Sequence, residues 1–152
     1  MVASTDDFIK MTATEAVARL RSKEVSPLDL VEASIRRIET IDTEVNALPI
    51  HCFDQARDQA KTLDLERHTA NPKSLCGLPI AVKDYNDLGG VITTYGSPIF
   101  ANNVAQKSDA TVRKLQSNGA IAVAKSNVPE WAGGHTFNPV NGLTRNPWDM
   151  QK

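Results

Sequence analysis

Two short apolar segments with a helical pattern between them constrain the fold of this chain more than any other feature. Residues 78–83 and 120–124 are apolar and have the length of strands. Between them, residues 109–117 have a helical pattern, with Ser108 as the expected N-cap and Asn118-Gly119 as a stop signal. A strand, a helix and a second strand in this order predict two parallel strands joined by a right-handed crossover. The sequence therefore predicts an α/β fold.

The first of these strands carries a lysine at its end, in the sequence Gly-Leu-Pro-Ile-Ala-Val-Lys-Asp that runs from Gly77 to Asp84. Desolvating an ammonium group is unfavourable unless the group is paired or loses its proton. One interpretation of Lys83 is a neutral, desolvated general base that activates a serine. The other is a side chain that lies along the strand with its charge in water.

Further motifs follow Lys83 in an order that favours the first interpretation. From Leu75 to Asp149, the ordered set resembles the amidase signature family of serine hydrolases, and a set of separate motifs is more specific than any one of them. The motifs are Thr93-Thr94-Tyr95-Gly96-Ser97, Ser108-Asp109-Ala110-Thr111-Val112, Asn118-Gly119-Ala120, Lys125-Ser126-Asn127-Val128-Pro129-Glu130-Trp131 and Gly142-Leu143-Thr144-Arg145-Asn146-Pro147-Trp148-Asp149.

The resemblance implies a mixed-sheet α/β enzyme in which Lys83 is the catalytic lysine of a Ser-cisSer-Lys triad. In that family, a Gly/Ser-rich turn follows the Asn-Pro-Trp motif and supplies a relay serine, with the nucleophilic serine further on. This chain ends at Lys152, before such a turn. The expected activity is hydrolysis of non-peptide amides by the parent enzyme, with Lys83 as general base. No metal or organic cofactor is expected, and the expected partner is a small-molecule amide substrate.

Two other motifs have a structural and a functional interpretation. Residues 93–97 are either a plain turn, as glycine and hydroxyl residues favour, or a segment that shapes the active-site region as in the family. Asn127 and Glu130 suit the start of a helix. The resemblance assigns the next three positions to an acyl-binding pocket, and ordinary packing is the alternative for the tryptophan. These residues are Trp131, Ala132 and Gly133.

The N-terminal part is expected to be helical. Thr12 with Glu15 and Ser26 with Pro27 mark two helix starts, and a further helix is predicted from Phe53 to Leu65. Residues 46–50 are predicted to form a short strand near a sheet edge, because proline cannot donate to a ladder. In the family such helices pack on the core or against a second protomer, so a homodimer is one expectation.

We expect residues 1–152 to be an incomplete N-terminal portion of a single amidase domain. Within it, residues 1–68 are the helical N-terminal region and residues 75–152 are the start of the α/β core. A polar, proline-containing loop is predicted at residues 69–73.

Charge and hydropathy argue against several classes of partner. The net charge of -1 gives no electrostatic footprint for nucleic acid or an anionic membrane. No apolar run approaches the ~20 residues that span a bilayer, and no signal-peptide pattern is present, so a cytoplasmic location is expected. Cys52 and Cys76 are too few for a disulfide framework. His51, Cys52, His68 and His135 lack the spacing of a structural metal site.

Three functions remain open on the sequence. The first is an amidase that hydrolyses small or aryl amides. The second is the glutaminase subunit of a tRNA-dependent amidotransferase, which shares the signature but commonly has Asn-Met-Asp-Glu-Phe where this chain has Asn127-Val128-Pro129-Glu130-Trp131. The third is a truncated non-catalytic fragment or one half of a split enzyme.

Overall fold

The computed structural model describes residues 8–65 and 75–151. The predicted loop at residues 69–73 lies outside them. Helices α1 (Ala13–Arg21) and α2 (Pro27–Val45) come first, followed by strand β1 (Ile50–His51) and helix α3 (Phe53–Leu65). Strand β2 (Pro79–Lys83), helix α4 (Ala110–Ser117) and strand β3 (Ile121–Ser126) form the next unit, and a hairpin of β4 (Phe137–Asn138) and β5 (Gly142–Leu143) ends the described order. Within the described residues, 3₁₀ turns occur at Pro98–Phe100 and Glu130–Ala132.

The sheet confirms the predicted mixed α/β fold. Its strands lie in the order β1-β3-β2, with β2 parallel to β3 and β1 antiparallel to β3. The proline-containing segment therefore leads to an edge strand of this sheet, as predicted. The register between β2 and β3 shifts between Ile80 and Ala81, and Lys83 lies opposite Ser126 at the end of the pair.

The two helix starts were predicted correctly because local capping chemistry determines both. Thr12 and Glu15 form a capping box at the start of α1, and Ser26 and Asp29 form another at the start of α2. Each box satisfies backbone N–H groups that the first helical turn leaves without partners. The predicted bounds of α3 also agree with the structure.

Strand β1 is shorter than the predicted strand at residues 46–50. Asn46 caps α2 in the left-handed conformation with φ of 57°. The Asp42 carboxylate accepts hydrogen bonds from the N–H groups of Ala47 and Leu48, each at 2.8 Å. These groups are therefore occupied by a helix cap and do not pair with a neighbouring strand, so β1 begins only at Ile50.

Helix α4 also differs from its prediction at one end. Asp109, and not Ser108, occupies the N-cap position. The hydroxyl of Ser108 instead accepts from the N–H of Gly89 at 3.0 Å and donates to Gln116 at 3.0 Å. The helix does stop before Asn118-Gly119, and Gly119 adopts a φ of 88° that favours glycine.

Apolar clusters cover both faces of the sheet. One cluster joins α2 and α3 to β3; its buried members are Val31, Ile35, Ile38, Ala56, Ala60, Ile121, Val123 and Ala124. The other joins β2, β3 and α4 to the loop after β2; its buried members are Cys52, Val82, Leu88, Val91, Val112 and Ala122. Among the residues that the structure describes, no helix is both long and apolar enough to cross a membrane.

The packing of α2 gives a first test of this fold. Ile35 is 1 % exposed in the cluster between α2, α3 and β3. Ile35→Ala should lower the free energy of unfolding by about 2–5 kcal/mol, because it removes buried methyl groups and leaves a cavity. Arg37→Ala, an exposed position on the same helix, should leave it nearly unchanged. Urea denaturation measures both, and equal effects of the two variants would contradict the assigned helix face.

Candidate active site

The side chain of Lys83 lies on the surface at the end of β2. Strand residues alternate between faces, and Val82 and Asp84 are buried while Lys83 is exposed. Its Nζ lies 5.6 Å from the ring centroid of Tyr85, within the range of a cation–π contact. The structure gives Lys83 no carboxylate partner among the described residues. A general base of the expected kind is desolvated, whereas the described residues leave this lysine open to solvent.

A different lysine is buried. Lys125 in β3 is fully buried, and its Nζ contacts Oδ1 of the equally buried Asp84 at 2.8 Å. The ammonium also donates to the hydroxyl of Thr93. Desolvation lowers the pKa of Lys125, and the hydrogen bond and negative charge of Asp84 oppose that change. The two buried charges are tolerated because they pair directly with each other and form further hydrogen bonds to Thr93 and Thr94.

Asp84 connects the end of β2 to the loop that follows. Its carboxylate accepts from the N–H of Thr94 at 3.1 and 3.2 Å and from the Thr94 hydroxyl. Its backbone N–H donates to Ser126 O at 3.0 Å, and its carbonyl accepts from the N–H of Tyr95 at 3.2 Å. The residue after Lys83 is therefore fixed on both its main chain and its side chain. Residues 93–97 form more than a plain turn, since their first two members complete this buried site.

A cluster of four aromatic rings begins at Tyr85, the ring over which the Lys83 amine lies. The ring of Tyr85 packs edge-on against Tyr95 with centroids 5.9 Å apart. Tyr95 stacks on Trp131 at 5.3 Å with the ring planes 6° apart, and Phe100 packs edge-on against both rings. Trp131 is 51 % exposed. The structure therefore brings Lys83 and the predicted pocket residue Trp131 to one aromatic cluster, defined here as Tyr85, Tyr95, Phe100 and Trp131.

The backbone around this cluster is unusual. Tyr95, Trp131 and Ala132 have φ values of 51°, 52° and 59°, in the left-handed region that side chains with a Cβ rarely occupy. Gly96, with φ of 67°, is required between these segments, because a Cβ there would lie 2.6 Å from the carbonyl oxygen of Val128. Left-handed non-glycine residues concentrate at functional sites. Ala132 and Gly133, the other two predicted pocket residues, are exposed next to Trp131.

The predicted helix start at Asn127 is wrong. Asn127 donates to Gly142 O at 3.2 Å and to the Thr144 hydroxyl at 3.0 Å, and it accepts from Asn138 at 2.6 Å. Because its side chain holds the β4–β5 hairpin, it is not available to cap a helix, and only the 3₁₀ turn Glu130–Ala132 follows. The Asn146-Pro147-Trp148 motif forms a turn that is closed by the Asp149 N–H, which donates to Asn146 O at 3.1 Å.

The sequence predictions missed the two residues that organise this site, Asp84 and Lys125. A signal for Lys125 was present, because it follows an apolar strand as Lys83 does. The side chain that satisfies it could not be identified from the sequence, since Asp84 and Lys125 are 41 positions apart.

Nothing in the described residues forms a group of three or more histidine, cysteine, aspartate or glutamate side chains suited to a metal ion. His51 stacks on Phe53, with ring centroids 4.4 Å apart. The Cys52 thiol donates to Ala122 O at 3.2 Å, and burial raises its pKa to about 11. Cys52 is therefore a protonated core residue at neutral pH.

A family model described as Amidase matches residues 29–152. This chain belongs to the amidase signature family. Among curated relatives, it is 35% identical over 144 residues to a glutamyl-tRNA(Gln) amidotransferase subunit of Desulfatibacillum aliphaticivorans, covering 94% of this chain and 30% of the relative. The protein of the same name from Maridesulfovibrio salexigens is 36% identical over 146 residues, covering 95% and 30%.

Solved structures of other proteins share the fold. An inhibitor-bound vestigial complex, described as revealing the origins of an s-triazine catabolic enzyme, matches with a TM-score of 0.85 and 32% identity, over 92% of this chain and 31% of that one. A bacterial aryl acylamidase of the amidase signature family matches with a TM-score of 0.83 and 28% identity, over 92% and 30%. This amidase chain thus spans about 30% of the length of the curated relatives it matches.

The buried ion pair of the amidase chain gives a second test. Asp84→Asn or Lys125→Met alone should lower the free energy of unfolding by about 3–5 kcal/mol, because either change leaves one buried charge without its counterion. The double variant should be more stable than the sum of the single effects implies. Glu24→Gln breaks the exposed Arg19–Glu24 pair at 3.2 Å and should have a much smaller effect. Denaturant titration of the four variants measures this, and additive single effects would contradict direct pairing.

Proposed function

We propose that this amidase chain supplies the general base of an amide hydrolase, and that Lys83 is that base. One observation supports the proposal above the others. A lysine at the end of a core strand presents its amine on the surface, next to an aromatic cluster and without a carboxylate partner among the described residues. A lysine with only a structural role on the surface would not require the next residue, Asp84, to be fixed by a buried ion pair and a buried hydrogen bond.

The proposed reaction is acyl transfer from an amide to water. Lys83, once neutral, takes a proton from a relay serine, and that serine deprotonates a nucleophilic serine. The nucleophile attacks the amide carbonyl, and backbone N–H groups stabilise the oxyanion. The relay serine then protonates the leaving amine, and water hydrolyses the acyl-serine to the free acid. Both serines and the oxyanion hole are taken from the family resemblance, and no residue among these 152 is assigned to them.

A base of this kind must be desolvated before it gives up its proton. We infer that protein outside residues 1–152 covers Lys83 in the working site, since the relatives are about three times as long as the region that matches. On this proposal, residues 75–152 form the beginning of the catalytic core, and the helices before them support it. A homodimer through these helices stays a prediction.

The proposed substrate is a small non-peptide amide whose acyl group packs against Trp131, Ala132 and Gly133. The half-exposed ring of Trp131 stacks on Tyr95, and the backbone N–H of Trp131 donates to Tyr95 O at 2.9 Å. A fixed indole ring favours flat, apolar groups over small aliphatic ones. An aryl amide is therefore a better fit than a short aliphatic amide.

A second candidate is glutamine hydrolysis within a tRNA-dependent amidotransferase. The names of the two curated relatives above favour it. The Val128-Pro129 pair in the motif after β3 favours a general amidase instead. Assays of the complete gene product distinguish the two candidates. Release of ammonia from glutamine, together with binding to a partner protein, would establish the second candidate. Turnover of aryl amides without ammonia release or partner binding would exclude it.

Replacing Lys83 tests the role of the base. In the complete gene product, Lys83→Ala should lower kcat for an amide substrate by at least about 10²–10⁴-fold, because a general base contributes that much. The circular dichroism spectrum and melting temperature should stay close to those of the parent protein, since the side chain is exposed. Lys107→Ala, at another exposed lysine, is the matched control and should retain turnover. Near-normal kcat in Lys83→Ala would exclude Lys83 as the base.

Replacing Trp131 tests the substrate class. Trp131→Ala should raise KM for an aryl amide by about 10-fold through loss of apolar contact. It should have little effect on a short aliphatic amide, which is too small to use that surface. Trp131→Phe keeps an aromatic face, so its KM for the aryl amide should lie between that of the parent protein and that of Trp131→Ala. Equal changes in KM for aryl and aliphatic substrates would show that Trp131 acts through the fold and not through substrate contact.

A further inference from the structure

The region beneath Lys83 holds polar groups that the reaction above does not use. Asp84 and Lys125 are fully buried and paired at 2.8 Å. Thr93 and Thr94 are buried as well, at 0 % and 1 % exposed. A pair with this much desolvation is not an efficient way to stabilise a core, since apolar residues of similar size often do as well or better. The burial of this pair next to Lys83 therefore points to a role other than core stability.

The contacts of the pair lead to Lys83 from two sides. Along the main chain, Asp84 follows Lys83 directly, and its N–H and carbonyl are bonded to Ser126 and Tyr95. Through the side chain, the carboxylate holds Thr94, and the next residue, Tyr95, packs against the ring of Tyr85. That ring is the one over which the Lys83 amine lies. Both routes start at Asp84, the first at its main chain and the second at its carboxylate.

We propose that the Asp84–Lys125 pair positions Lys83. Thr94, followed by Tyr95, connects the pair to Tyr85, the aromatic residue beside the Lys83 amine. Lys125 fixes the direction of the carboxylate, the carboxylate fixes Thr94 and Tyr95, and these hold Tyr85 against the Lys83 side chain. Asp84, Lys125 and Thr94 are positioning residues that act through Lys83. This inference rests on the proposed role of Lys83 as base.

Removing the Thr94 hydroxyl is the best test of this inference, because replacing Asp84 or Lys125 leaves an unpaired buried charge and risks unfolding the protein. The hydroxyl donates to Asp84, and it accepts from the N–H of Gly96 at 3.0 Å and from the side-chain amide of Asn141 at 3.5 Å. Thr94→Val removes these three bonds at nearly constant volume and keeps the Thr94 N–H bonds to the carboxylate. Thr94→Ser restores the hydroxyl. Thr144→Val is the matched control, since its hydroxyl bonds Asn46 and Asn127 and does not reach Asp84.

The first measurement is steady-state amide hydrolysis by the complete gene product. Thr94→Val should lower kcat by about 10- to 100-fold with KM changed little, as expected for a misplaced base with intact substrate contacts. Thr94→Ser should recover most of kcat, and Thr144→Val should keep it even if its melting temperature falls. A folded Thr94→Val with unchanged kcat would overturn the inference, and so would a loss of kcat in Thr144→Val that matches the loss in Thr94→Val.

The second measurement does not depend on catalysis. The full-length variants are acylated with a water-soluble amine-reactive ester, and peptide mapping gives the labelling rate of Lys83 relative to exposed Lys107. Thr94→Val should raise this ratio severalfold by releasing Tyr85, and Thr144→Val should leave it unchanged. An unchanged ratio in Thr94→Val would overturn the inference even in a protein that hydrolyses no amide. A raised ratio in a protein without amide turnover would retain the positioning role and reject the proposed function alone.

Discussion

The buried contact between Asp84 and Lys125 is the interaction on which the candidate site depends. It joins the ends of the two parallel strands by a charge pair at 2.8 Å, at a point where neither side chain reaches water. Breaking one member leaves an uncompensated buried charge, which is among the most destabilising changes that a protein can undergo. The pair therefore requires β2, β3 and the loop at residues 93–97 to come together as one unit, because otherwise the buried charges of Asp84 and Lys125 lack their partners.

The two lysines, Lys125 and Lys83, therefore have different roles. Lys125 is buried, paired and closed off, so it is unable to exchange protons with a substrate in this arrangement. Lys83 is exposed at the adjacent strand end and has an aromatic ring as its neighbour. In the proposed reaction, the first lysine organises the site and the second carries out the chemistry. The aromatic cluster then extends from Lys83 to Trp131, where the amide substrate is proposed to bind.

Local chemistry explains which parts of the fold were predictable. The helix starts at Thr12 and Ser26 were predicted correctly because the residues that satisfy each helix end lie three positions away. The predictions failed where another partner takes the same group. Asp42 takes the N–H groups of Ala47 and Leu48, and the β4–β5 hairpin takes the side chain of Asn127. The first competitor is a helix cap only five and six positions away, whereas the second is a hairpin whose Gly142 carbonyl lies 15 positions further along the chain.

The sequence by itself determined the helix starts, the parallel strand-helix-strand unit and the position of Lys83 at a strand end. All three depend on periodicity and on neighbours a few residues apart. The order of motifs after Lys83 also indicated the family, which the match over residues 29–152 established. Only the tertiary structure decided which lysine is buried, which carboxylate pairs with it and how the ring beside the Lys83 amine is connected to Trp131. Those facts depend on segments far apart in the chain, and burial is a property of the packed molecule that local sequence does not encode.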